Sequence, residues 1–236
     1  MSLIGKLRSK IGPKAERNFA PGSYEETYER FREFTMIRRE VYVNNLELAK
    51  RVVKLPGCVV ECGVWRGGMI AGMASLLGER RHYYLFDSFE GLPPAKEIDG
   101  KDALHWQSDH ESPNYYNNCT APEHFAKEAM TLAGVPSFEL VKGWFEQTIP
   151  QKQFNEPIAL LRLDADWYDS TMVCLENLFE KVVPGGLILL DDYYTWDGCS
   201  RALHDYLSRR SAVERIRNLG DIAYLTKAAP ANPAAG

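Results

Sequence analysis

The sequence predicts an α/β fold: a doubly wound, mostly parallel sheet of Rossmann-like type, with N-terminal helices and a C-terminal antiparallel hairpin. Three observations carry that expectation. Residues 158–163 and 186–190 are short, mainly apolar runs, each ending abruptly in carboxylates (Asp164 and Asp166; Asp191 and Asp192). Such runs read as strands buried on both faces of a parallel sheet. Between them, residues 169–183 place Met172, Leu175, Leu178, Phe179 and Val182 at helical spacing. The unit is therefore strand–helix–strand, with a right-handed crossover and both acidic ends on one edge of the sheet. Finally, residues 58–68 run from a strand through a glycine-containing turn into an apolar helix, the entrance of a nucleotide-type fold.

Taken in order, residues 1–22 read as a flexible basic arm closed by Pro21-Gly22. Ser23 is placed to cap a helix through Phe34, and a second helix spans about 39–55 before Pro56-Gly57 stops it. Strands follow at Cys58 and at His82 to Asp87, separated by a helix to about Leu77. Residues 88–122 form a long polar and aromatic connection, including His105-Trp106 and Tyr115-Tyr116. A connection of that length suggests an active-site lid, expected to be mobile until an acceptor binds. A helix at about 123–133, a third strand at 138–141 and a short helical turn to Pro150 lead to strands four and five. Beyond them lie a second candidate substrate wall at 193–198, a helix to about Leu207 and a hairpin of 213–216 with 222–225. The methyl-rich Ala/Pro tail, 228–236, is expected to be disordered. Residues 23–227 thus make a single domain, with predicted strand order 3-2-1-4-5.

With 45% hydrophobic residues and a formal charge of −4, the chain can build a core and lacks a basic footprint for nucleic acid. No apolar run approaches a membrane span, and there is no signal-peptide core. Five cysteines without a CxxC pair suit reduced thiols and a cytoplasmic protein. A homo-oligomer is expected, with a dimer favoured.

The acidic strand ends carry the chemistry. Carboxylates gathered at one edge repel one another unless a cation sits between them, although Asp164 and Asp191 could instead cap loops. With neither Cys nor His beside them in sequence, the cluster suits Mg²⁺ rather than zinc. Glu61 and Gly63 open the glycine turn, and Asp87 ends the second strand 26 residues after Glu61. An acid there meets ribose hydroxyls in such folds, which points to an adenosine-containing ligand. The spacing Glu-x-Gly-x-x-x-Gly is not the dinucleotide fingerprint, so a nicotinamide oxidoreductase fits less well.

Five stretches together resemble the macrocin O-methyltransferase family: Glu61 to Gly68, Phe86 to Pro93, Lys142 to Phe145, Asp164 to Thr171, and Asp191 to Tyr193. The resemblance runs from about Thr35 to Leu225. It implies a methyltransferase that uses S-adenosylmethionine and Mg²⁺ on a sugar hydroxyl of a glycosylated natural product. By position it implies that Asp164, Asp191 and Asp192 hold the metal and that Asp87 and Ser88 meet the ribose. Glu61 and Gly63 would face the methionine end, Gly143, Trp144 and Phe145 the adenine, and Thr35 and Met36 would close over the cofactor. The general base would be Asp166 or a lid histidine, His110 or His105. A catechol-type O-methyltransferase and a non-catalytic cofactor-binding protein are the alternatives.

Overall fold

The computed structural model describes residues 22–229; most of the expected basic arm and C-terminal tail lies outside the described residues. Seven strands form one sheet: β1 (Cys58–Cys62), β2 (Tyr83–Asp87), β3 (Phe138–Lys142), β4 (Ile158–Leu163), β5 (Val182–Leu190), β6 (Arg217–Leu219) and β7 (Ile222–Thr226), in the order β3-β2-β1-β4-β5-β7-β6. Strands β1 to β5 pair in parallel, whereas β7 runs antiparallel to both β5 and β6. The predicted 3-2-1-4-5 order is therefore the observed one, extended by the hairpin.

Eight helices are described: α1 (Tyr24–Phe31), α2 (Arg39–Lys50), α3 (Gly68–Leu77), α4 (Lys101–Ser108), α5 (His124–Ala133), α6 (Phe145–Thr148), α7 (Tyr168–Leu178) and α8 (Asp197–Arg209). The Ser23 hydroxyl caps α1 by accepting from Glu26 N at 3.2 Å. On one face of the sheet, Phe31, Tyr42, Leu46, Met73 and Met130 pack against Val59, Leu85, Leu160 and Leu189. On the other, Leu175, Leu178 and Leu203 from α7 and α8 pack against Val60, Phe86, Leu161 and Ile188. Each central strand divides its residues between the two clusters, as a strand with period-two side chains must when helices cover both faces.

Two expectations need correcting. The first hairpin strand forms at Arg217–Leu219 and not at 213–216, because Leu219 pairs directly with Ile222 across a two-residue Gly220-Asp221 turn. Gly220 takes φ +56°, the conformation a tight hairpin requires. The 88–122 connection is also not a plain loop. It carries α4 and 3₁₀ turns at Glu97–Asp99 and Tyr116–Cys119.

Asp99 explains why this connection lies against the body of the protein. Its buried carboxylate accepts from Lys96 N and from Tyr168 N, both at 2.7 Å. It thereby closes its own turn and meets the positive N-terminal end of α7, where Trp167 offers no side-chain cap. Asp99→Ala is expected to lower stability by about 1–3 kcal/mol in urea unfolding, since two backbone donors lose their acceptor. A change within experimental error would show that the contact holds nothing.

Candidate functional site

The carboxyl edge of the sheet is drawn together by backbone bonds that continue past the strands. Asp164 N donates to Cys62 O at 2.9 Å, Asp191 N to Leu163 O at 3.0 Å, and Gly63 N to Phe86 O at 2.8 Å. Gly63 has φ +87°, and a Cβ there would stand 1.8 Å from Asp164 O. Only glycine lets the ends of β1 and β4 approach so closely.

Beneath this edge lies Arg162, a fully buried guanidinium one residue before the end of β4. Its Nη1 donates to Glu61 Oε1 at 2.6 Å and to Asp164 Oδ2 at 2.9 Å. Its Nη2 stands 2.7 Å from Asp191 Oδ1, an ion pair whose angle is too poor for a hydrogen bond. Nε donates to Asn45 Oδ1 on α2 at 3.2 Å. Alternation explains the convergence: Glu61 follows Val59, Arg162 follows Leu160 and Asp191 follows Leu189 onto the face covered by α2. Asp191, expected beside Asp164 and Asp192 on a metal, is therefore turned toward Arg162.

The carboxylates that do converge are Asp164, Asp166 and Asp192, whose oxygens lie within 4.8 Å of one another. Asp166 adopts φ +54°, a left-handed conformation that Asp tolerates better than most residues. Its N–H donates to Asp192 Oδ2 at 3.1 Å, and its Oδ1 accepts from Trp196 Nε1 at 3.1 Å. Burial, and then the charge of Asp164, pushes the Asp166 carboxyl up to about 8. Burial raises Asp164 to about 6 despite the pull of Arg162, and raises Asp192 well above the usual carboxylate range. Glu61 is lifted by burial to about 7, and its Oε2 has no hydrogen-bond partner among the described residues. Glu61, Asp164 and Asp191 thus share one guanidinium, and Asp166 and Asp192 have no ion pair among the described residues. The excess negative charge, the all-oxygen donor set and the absence of thiolate or imidazole in the cluster fit a hard divalent cation.

The cofactor candidates mostly meet in one cleft, lined by Gly63, Asp87, Ser88, Gly143, Trp144, Phe145 and also Asp164. Asp87 ties its rim together: Oδ2 accepts from Val64 N at 2.9 Å and Trp65 N at 2.8 Å, and Oδ1 from Phe89 N at 2.6 Å. Ser88 Oγ donates to Gly91 O at 2.8 Å, and Gly143 N donates to Asp87 O at 2.9 Å. Glu61 lies below the cleft rather than on its wall. Thr35 and Met36 are also off the lining; Thr35 accepts from Ile37 N at 3.1 Å and packs beside Gly68 at the start of α3. His110 is exposed and stacks on Tyr115 with centroids 4.7 Å apart. Neither His110 nor His105 makes a side-chain hydrogen bond or ion pair to the carboxylates.

Sequence reading missed Arg162, Asn45, Asp99 and the bond from Trp196 to Asp166. Arg162 had a visible signal, since a lone charge inside a doubly buried strand must find partners. Nothing local marks the other three.

The raised pKa values carry a sign. The folded protein holds protons on Glu61, Asp164 and Asp166 that the unfolded chain has already released, so stability falls as pH rises between the unfolded values near 4 and the folded values of about 6 to 8. Chelator-treated protein is expected to lose melting temperature from about pH 5 to pH 8, and millimolar Mg²⁺ to restore it most at the upper end. A melting temperature flat in pH and indifferent to Mg²⁺ would contradict this electrostatic picture.

Comparison with known proteins supplies the family. The profile of the macrocin-O-methyltransferase (TylF) family matches residues 28–225. The 8-demethyl-8-(2,3-dimethoxy-alpha-L-rhamnosyl)-tetracenomycin-C 4'-O-methyltransferase of Streptomyces olivaceus is 33% identical over 184 residues, 70% of this chain and 63% of that protein. Demethyldecarbamoylnovobiocin O-methyltransferase of Streptomyces niveus is 31% identical over 176 residues, 69% of this chain and 62% of that protein. The match therefore spans somewhat less than two thirds of the length of these relatives. Among solved structures, the O-methyltransferase NovP superposes with a TM-score of 0.69 at 26% identity, covering 87% of this chain and 88% of that one. The chain belongs to the macrocin O-methyltransferase family.

Proposed function

We propose that the protein is an S-adenosylmethionine-dependent O-methyltransferase that acts, with Mg²⁺, on a sugar hydroxyl of a glycosylated natural product. The observation that carries this reading is the shared cleft: strand-end residues expected at the cofactor and Asp164 of the carboxylate cluster line one cavity. Family membership supports the reaction class, and the sugar-bearing acceptor named for the Streptomyces olivaceus relative supports the acceptor class. Among the described residues no helix is long and apolar enough to cross a membrane. All five cysteines are free thiols.

The chain's own groups divide the work. Gly63, Asp87, Ser88 and the Gly143–Phe145 turn would form the cofactor wall. S-adenosylmethionine would supply a sulfonium methyl group, released to the acceptor oxygen as sulfur keeps the electron pair of the broken bond. A divalent cation held by Asp164 and Asp192, with water or a reoriented Asp191 completing its shell, would favour ionisation of a nearby hydroxyl. Asp166 is the leading proton acceptor, because Trp196 holds its Oδ1 and leaves Oδ2 for the acceptor's proton.

Asp166→Asn is expected to lower kcat by roughly 10²–10⁴-fold, with cofactor affinity by calorimetry unchanged. Methylation of a rhamnosylated acceptor should stop on chelation and return with Mg²⁺. Full turnover in chelator would refute the metal assignment, and an active Asp166→Asn beside an inactive His110→Ala would move the base to the lid.

A further inference from the structure

Trp196 stands between the carboxylate cluster and α4. Its indole N–H donates to Asp166 Oδ1 at 3.1 Å, and its backbone N–H donates to Asp192 O at 2.9 Å. Its ring meets Trp167 at 5.3 Å and Trp106 of α4 at 5.9 Å between centroids. Trp106 also meets Trp167 at 6.3 Å, completing a three-ring cluster. Each of the other two indoles is anchored to backbone of the 88–122 connection: Trp106 Nε1 donates to Asn114 O and Trp167 Nε1 to Pro93 O. From Trp106 the aromatic chain continues outward to Tyr115 at 5.5 Å and on to His110.

The geometry of an indole gives these contacts different jobs. Its single donor can reach only one acceptor, and here it takes one oxygen of the carboxylate assigned as base, leaving the other free. Its faces and edges meanwhile carry the apolar contact with α4, and such aromatic pairs have preferred geometries worth up to about tenfold in an equilibrium. Tilting the ring to suit a displaced Trp106 would swing the N–H off Asp166, so the two contacts cannot be satisfied independently.

Building on the methyltransferase reading above, we propose that Trp196 is a positioning residue that couples the seating of α4 to the orientation of the Asp166 carboxylate. When Trp106 is seated against Trp196, the indole N–H holds Asp166 in one rotamer with Oδ2 presented to the acceptor; when α4 lifts, that restraint is released. An acceptor beside Asp166 would then meet an aligned base only in the seated state. The 88–122 connection is then part of the catalytic arrangement and not merely a cover.

The test reads the indole N–H itself. Indole ¹⁵N–¹H resonances of the five tryptophans are recorded in metal-free protein, and Trp196→Phe identifies the Trp196 signal by its loss. Solvent exchange of that proton should accelerate at least about tenfold in Trp106→Leu, which removes all three ring contacts of Trp106. It should remain within about twofold of the parent in Trp106→Phe, which keeps an aromatic ring at that place. Asp166→Asn should shift the Trp196 signal while leaving exchange in α4 unchanged. A Trp196 proton equally protected in Trp106→Leu and in the parent would overturn the coupling, as would equal acceleration in Trp106→Leu and Trp106→Phe. None of these readings depends on turnover, and S-adenosylhomocysteine calorimetry on the parent protein tests the methyltransferase reading separately.

Discussion

The site depends on the Arg162 guanidinium and the carboxylates around it. A single buried cation in β4 faces Glu61 on β1, Asp164 at its own strand end and Asp191 after β5. An isolated charge at that depth is costly, and removing one partner of such a group typically leaves a penalty of about 3–5 kcal/mol. Arg162 thus fixes the register at which three adjacent strands present their acids. It also decides how those acids are shared, because its forked donors take Asp191 and one oxygen of Asp164. What remains beside the cleft is Asp164 with Asp166 and Asp192, a cluster whose one ion pair among the described residues is that of Arg162 with Asp164.

That division has a consequence for the two halves of the reaction. Glu61 and Asp164 are joined through Arg162, and Asp164 lines the same cleft as Asp87 and Gly143. Charge brought to the cleft therefore acts on groups that also shape the carboxylate edge. Low effective dielectric in such a setting strengthens each interaction. The 88–122 connection closes the other side. Asp99 pins its beginning to α7, and Trp106 rests its helix on Trp167 and Trp196.

Much of the fold was legible because it follows from periodicity. The apolar runs, the glycine turn and the strand-end acids specify a parallel sheet and its functional edge, and the strand order follows from the crossover rule. The carboxylates could be named from sequence, but not which way each one points. Asp191 and Asp192 are adjacent, so one must face Arg162 and the other must leave that face, and this required knowing that Arg162 was there to be paired. The run 158–163 was read as apolar, and its one charged residue proved to be the hub. The 88–122 connection was legible as long and aromatic only. Its helix has short, weak periodicity and is fixed by tertiary contacts from Asp99, Gln107 and Asn118. Similarly, the hairpin moved because a two-residue turn at Gly220-Asp221 sets the pairing, and sequence alone favoured a longer loop.

The central claim is that the unbalanced carboxylate edge and the cofactor cleft form one site. Crystals grown with Mn²⁺ in place of Mg²⁺, together with S-adenosylhomocysteine, test it through the anomalous signal of manganese. The account predicts a single strong peak bounded by Asp164 and Asp192, with the nucleoside in the cleft between Asp87 and Gly143 and its sulfur directed toward the metal. A nucleoside bound in that cleft with no anomalous peak at the carboxylates, or a peak elsewhere on the chain, would contradict it.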